Sequence, residues 1–143
     1  MPTYQSNLIA SKAPARVDVH SDVVHATFTI ATALATNDLL DVCDVEKNVT
    51  IADAIVSSVA PGTQSGSDST FELGDAGDTD RFITTAGGIV LRAAGGVARL
   101  NNPAGHMYRY AADTRIQLRI VAGGTGQTTG GVIRVTLLLS PQF

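Results

Sequence analysis

The C-terminal third of the chain alternates with a period of two. Thr114, Ile116, Leu118 and Ile120 fall on one side of an extended backbone, and Arg115, Gln117 and Arg119 on the other, because successive side chains of a strand point to opposite faces. A second run, Val132-Ile-Arg-Val-Thr-Leu-Leu-Leu139, follows a Gly/Thr-rich connection from Gly123 to Gly131, and the two runs are expected to form a terminal β-hairpin. The same period marks the N-terminal side. Val17 and Val19 alternate with Asp18 and His20, and Val24, Ala26, Phe28 and Ile30 with His25, Thr27 and Thr29. Segments patterned in this way bury one face each as half-buried strands.

Helix formers suited to exposed faces are scarce. The chain has 2 Glu and 2 Lys against 11 Asp and 8 Arg, while Thr (16), Val (14) and Gly (14) supply strands and turns; Ala (19) is the one contrary signal. Asn37-Asp38 and Glu46-Lys47-Asn48 read as turns on either side of Leu39–Cys43, which is expected to pair with the apolar run from Val49 to Val59. A loop over 61–69 precedes a short strand, Thr70–Leu73. Three more strands are expected at Ile89–Arg92, Val97–Leu100 and His106–Tyr110. Eight or so strands without a repeat period or βαβ alternation predict an all-β, two-sheet antiparallel sandwich, most simply a jelly roll.

With 143 residues the chain suits one domain, whose core can form without metal or disulfide. Residues 16–143 are assigned to the sandwich. Residues 1–15, polar with Pro2 and Pro14, are expected to be an extended arm that places Tyr4, Leu8 and Ile9 against a partner. Only 16% of residues are charged, and the mean hydropathy is positive, a composition that suits a surface hidden against a partner.

The net charge of −3 hides a division: residues 1–80 carry a balance of −9 and residues 81–143 one of +6. Either the halves interleave and neutralise each other, or they form separate surfaces suited to head-to-tail assembly. Cys43 is the lone cysteine, set among Asp41, Asp44 and Glu46; acidic neighbours raise a thiol pKa, so a small buried side chain is expected. No apolar stretch approaches a membrane span, and the N-terminus has no secretion signal. The sequon Asn48-Val49-Thr50 therefore reads as coincidence.

Motifs of chemistry fail on spacing. Gly123–Gly131 lacks the lysine of a phosphate loop, and its glycines are out of step with the dinucleotide pattern. Asp18, His20 and Asp22 share one strand face but lack a converging fourth ligand. No Gly-x-Ser-x-Gly elbow exists, the histidines are His20, His25 and His106, and no two lie two residues apart as in cupin enzymes. Tyr108-Arg109-Tyr110 near Arg115 and Arg119 would suit single-stranded nucleic acid, but seven aromatics and an acidic balance disfavour it. No enzyme activity and no cofactor are expected.

The acidic turn Gly74-Asp-Ala-Gly-Asp-Thr-Asp80 could gather calcium through Asp75, Asp78 and Asp80, but it lacks the EF-hand order. A structural role is preferred: Asp78 or Asp80 capping one helical turn, Arg81–Ala86, with Phe82 plugging the core beneath. Loss of Phe82 is then expected to cost about 3–5 kcal/mol, and loss of Asp75 less.

The segment Leu73-Gly-Asp-Ala-Gly-Asp-Thr-Asp-Arg-Phe-Ile83 resembles one found in small virion proteins of tailed bacteriophages. Asp38–Val42, Val49–Ile55, Tyr110–Leu118 and Gly130–Val135 agree with it, so the resemblance spans roughly residues 25–138. Such proteins are similar to the jelly-roll cement, or head-decoration, proteins of HK97-type capsids. The resemblance implies a non-enzymatic protein of the outer head surface, made in the host cytoplasm. It implies the major capsid protein as partner, self-association as dimers or trimers at local symmetry axes, and no catalytic residues. The alternative is a carbohydrate- or host-binding jelly roll of a tail fibre or spike, which would be expected to expose aromatics; the chain has no Trp.

Overall fold

The alternating segments are strands in the computed structural model, which describes residues 3–5, 23–30, 34–59, 69–84, 90–91, 96–123 and 131–141. In chain order they are β1 (Thr3–Gln5), β2 (Val23–Thr29), β3 (Leu39–Val45), β4 (Val49–Val59), β5 (Ser69–Asp75), β6 (Val90–Leu91), β7 (Gly96–Arg99), β8 (Tyr108–Arg109), β9 (Thr114–Ala122) and β10 (Val132–Pro141). A 3-10 turn, Pro103–Gly105, precedes β8. Turn chemistry agrees with the sequence at two places, where Asn37 and Asn48 adopt positive φ angles of 72° and 70°, a conformation that asparagine tolerates better than most residues.

The first sheet has the order β1-β3-β9-β5-β6 and the second β2-β10-β4-β7, with β8 also paired to β4. The antiparallel pairs β2·β10, β3·β9, β4·β7 and β5·β6 are nested one inside the next. A ribbon of nested pairs, rolled so that β10 meets β4 and β9 meets β5, is a jelly roll.

This order corrects two expected pairings. β9 and β10 are not a hairpin but lie in different sheets, and β3 and β4 likewise separate. A period of two specifies which face of a strand is buried and says nothing about its neighbours. Each of these strands buries its apolar side in the core between the sheets, and β9 and β10 each gain two flanking partners.

The core is made by the alternating residues themselves. Ile116, Leu118 and Ile120 of β9, Ile133, Val135 and Leu137 of β10, Ala26 and Phe28 of β2, and Phe71 and Leu73 of β5 are all buried. A bulge in β3 changes the phase: Asp41 pairs with Gln117 and Cys43 with Ile116, which leaves Val42 as the extra residue. Bulges re-aim side chains in this way, so Asp41 and Asp44, three apart in sequence, reach the same arginine.

Of the expected arm, Thr3, Tyr4 and Gln5 run parallel to β3 beside Leu39, Leu40 and Asp41, laid on the sheet edge as its only parallel pair among the described residues. Leu8 and Ile9 lie outside the described residues, as do the expected strand over 16–19 and all of the expected loop over 61–69 except Ser69, which opens β5.

Candidate functional site

The acidic turn closes on itself around Asp75. At Gly74 the backbone of Asp78 and Thr79 folds back so closely that a Cβ would overlap it, which admits only glycine. The Asp75 amide donates to the Asp78 carbonyl at 2.9 Å. One carboxylate oxygen, Oδ1, accepts from the Gly77 and Asp78 amides at 2.8 and 3.0 Å, with a longer bond from the Arg81 guanidinium. The other, Oδ2, accepts from Arg81 Nε at 2.6 Å and from the Tyr110 hydroxyl at 2.7 Å.

These donors occupy the lone pairs of a carboxylate that is 4% exposed. Burial pushes the Asp75 pKa up, but the hydrogen bonds from Arg81, Tyr110 and the Gly77 amide and the Arg81 charge outweigh it, holding the group below the ordinary aspartate value. The turn is therefore a clasp, and its central carboxylate has no free face for calcium. Among the described residues, no three His, Cys, Asp or Glu side chains converge on a metal position.

The clasp extends through rings. The Arg81 guanidinium lies 4.0 Å over the Tyr108 ring, Tyr108 meets Tyr110 edge-on at 5.1 Å, and Tyr110 meets Phe82 edge-on at 6.4 Å. Phe82 is fully buried. Asp78 sits 3.7 Å from Arg81 and is partly exposed. Asp80 holds the segment through its backbone carbonyl, which accepts from Asn102 Nδ2; a hydrogen bond with the Asp78 carboxyl raises the Asp80 pKa.

One expectation is overturned here. Arg81 to Thr84 are not helical, and neither Asp78 nor Asp80 caps a helix; instead the Phe82 and Ile83 amides donate to the Leu73 carbonyl at 2.9 and 3.2 Å, and Ile83 forms a bridge with Leu73. The backbone amides of an N-terminal turn need acceptors, and the end of β5 supplies one. The Phe82 carbonyl accepts from the Asn101 and Asn102 amides, while Gly105 packs so tightly on the Arg81 carbonyl that a Cβ would overlap it. The signal for Asp75 as the hub was weak in sequence, since its partner Tyr110 is 35 residues away.

The charge division resolves into pairing. Arg115 of β9 reaches Asp44 at 2.7 Å and Asp41 at 3.2 Å on β3, and Arg119 reaches Glu72 of β5 at 2.8 Å. Gln117 completes the row with a bond to Asp41 at 2.7 Å. Because β9 lies between β3 and β5, the arginines of the basic half are flanked by acids of the other half. These ion pairs, with Asp75–Arg81, each join residues 1–80 to residues 81–143, so the halves interleave. Arg115 and Arg119, which a nucleic-acid surface would have used, are occupied.

The remaining candidates are scattered. His25 is exposed on β2 and bonds to Thr136 Oγ1 at 3.0 Å, and His106 is exposed at the end of the 3-10 turn. Asp18, His20 and Asp22 lie outside the described residues. Cys43 is buried, and burial followed by the charge of Asp44 pushes its thiol from 9.0 up to about 12. Burial, then the Asp75 hydrogen bond, also raises the Tyr110 hydroxyl above its ordinary value. Both groups keep their protons in the folded state at pH values where the unfolded chain would lose them. Their stabilisation is complete below the ordinary values of 9.0 and 10.0 and is lost as pH rises toward the folded values. Urea unfolding at about pH 8 and 11 should show this loss, and Tyr110→Phe combined with Cys43→Ala should flatten it.

The nested strand order and a turn built as a clasp define a jelly-roll sandwich in which the most elaborate polar cluster is structural. Its fold is that of chains in two phage heads. It is similar to a chain of the cyanophage Pam1 capsid asymmetric unit, with 17% identity over 84% of each chain and a TM-score of 0.68. It is also similar to a chain of the capsid of Ralstonia phage GP4, with 18% identity over 99% of each chain and a TM-score of 0.73. At these identities the likeness is one of fold. No family model matches the sequence, and no curated protein matches it.

Proposed function

We propose that the chain is a non-enzymatic structural protein of a phage virion, which binds the outer surface of the head and stabilises the shell as a cement or decoration protein. The observation that carries this reading is the fold shared over nearly the whole chain with a component of a phage capsid. The use of the buried carboxylate, tyrosine and arginine cluster as a clasp agrees with it, because binding alone meets the need. The partner is the major capsid protein. A shell repeats its sites many times, so modest interfaces that bridge subunits add across the lattice, and self-association at local symmetry axes would extend the effect.

The arm contributes to attachment in this proposal, through Tyr4, Leu8 and Ile9. Its described residues, Thr3–Gln5, make three parallel pairs with β3 at the sheet edge; such a short pairing carries little of the fold, so removing residues 1–14 should leave the melting temperature within a few degrees. Heads assembled without the protein should bind the purified full-length chain at saturable sites and then withstand higher temperature before releasing DNA. The shortened chain should occupy the same heads less well at equal concentration. Full-length protein that does not bind heads overturns the proposed role; equal occupancy by the shortened chain moves attachment to the sandwich; a collapse of its melting temperature makes the arm part of the folded core.

A further inference from the structure

The two outer faces of the sandwich differ in how their charge is used. On the first sheet, Arg115 and Arg119 are consumed by Asp41, Asp44 and Glu72. On the second, strand register sets out a surface in three rows. Thr27, Arg134, Ser57 and Val97 lie side by side across β2, β10, β4 and β7; His25, Thr136, Ile55 and Arg99 form the next row; Val23, Leu138 and Asp53 form the third. Alternate residues of each strand share a face, so these rows form one continuous outer surface.

Among the described residues, this surface has two properties that the first lacks. Val97, Val23 and Leu138 are 68%, 41% and 37% exposed and are three of the four large exposed apolar residues among those described. Arg99 and Arg134 are exposed, and among the described residues neither has a carboxylate within ion-pair distance. Arginine beside apolar side chains, with few acids, is the composition of a protein interface. Hydroxyls at Thr27, Ser57 and Thr136 stand between the charges.

We infer that the outer face of β2-β10-β4-β7 is the surface by which the chain docks on its protein partner, and that the partner presents carboxylates to Arg99 and Arg134 beside an aliphatic patch that covers Val97, Val23 and Leu138. This deepens the proposed role and rests on it, by assigning the face that meets the shell and the charge of what it meets. Charge complementarity selects the occupant. The two guanidiniums need anions, and the rows contain no Phe, Tyr or Trp, their one ring being His25, which is tied to Thr136, so an acidic protein surface fits better than a polynucleotide, whose bases need a platform of stacking rings.

The test is occupancy of protein-free heads by variants of the full chain. Arg99→Glu with Arg134→Glu should lower apparent affinity at least about tenfold, because like charges placed across an interface repel. Arg99→Gln with Arg134→Gln, which removes charge without reversing it, should give a smaller loss. Wild-type binding should weaken with added salt, and the Gln pair should flatten that dependence. Lys47→Glu reverses one charge at an exposed residue of the turn between β3 and β4, off this face, and should bind within about twofold of wild type, whereas Arg134→Glu alone should lose more. All of these positions are on the surface, and a melting temperature matching wild type confirms a folded variant.

If the Arg99/Arg134 variants bind heads as well as wild type does, the assignment of this face is overturned while the role on the head stands. If wild type does not bind heads, both fail. Arginine-dependent self-association in sedimentation, without an effect on head binding, would make a second copy the occupant and overturn the inference.

Discussion

Asp75→Ala is expected to destabilise the protein by about 3–5 kcal/mol, the range for removing one partner of a buried ion pair. The loss goes beyond the pair with Arg81. The Tyr110 hydroxyl would be left buried without its acceptor, and the Gly77 amide would lose its own, while the Asp78 amide would keep only its longer bond, 3.3 Å, to the Asp75 backbone carbonyl. Asp75→Asn should retain part of the stability, since its carbonyl oxygen can still accept from the turn amides, but its amide group would face the Arg81 donors. Equilibrium urea unfolding at neutral pH gives both values. The expectation also has a sign with pH: the Asp75 carboxyl is held below its ordinary value in the folded state, so its contribution is full above the unfolded value of about 3.9 and disappears as pH falls through the folded one. The difference between wild type and the Asn variant should therefore shrink in acid. An Asp75→Ala loss below about 1 kcal/mol, the range of exposed pairs, would show that the clasp is a surface feature.

Phe82→Ala should cost a similar amount, about 3–5 kcal/mol, for a different reason. The side chain is fully buried, so truncation removes a ring from the core and leaves a cavity that its neighbours fill only in part. The backbone bonds of Phe82 to Leu73, Asn101 and Asn102 remain available to the variant, which keeps the effect attributable to packing. Phe82→Leu, closer in volume, should lose less than about 1.5 kcal/mol. Phe82 forms one wall of Tyr110, whose hydroxyl bonds to Asp75, so the two losses are coupled. Asp75→Ala and Phe82→Ala combined should cost less than the sum of the single changes. Strict additivity would mean that the ring and the carboxylate stabilise the protein independently.

These two residues stand differently in the sequence. Phe82 could be placed beneath the acidic turn because a large ring after a run of small polar residues has few other uses. Asp75 ranks below it in sequence, since local sequence reveals the turn amides that a carboxylate can accept from but not a tyrosine 35 residues away. The helical turn expected at Arg81–Ala86 failed for the same reason. A capping pattern describes what a segment can do alone, and here the Leu73 carbonyl offered the Phe82 and Ile83 amides a partner from β5.

Periodicity determined the strands and the faces they bury: the alternation in 114–120, 132–139 and 24–30 reappears as buried and exposed sides of β9, β10 and β2. Composition determined the class, because a chain with scarce Glu and Lys and abundant Thr and Val has little from which to build exposed helices. Tertiary structure alone decided the neighbours. β9 and β10 separate into different sheets, and Asp41 and Asp44 meet one arginine through a bulge. Strand pairing, ion pairing and the clasp are long-range contacts selected together when the core closes, whereas alternation and turn chemistry are set within a few residues of backbone.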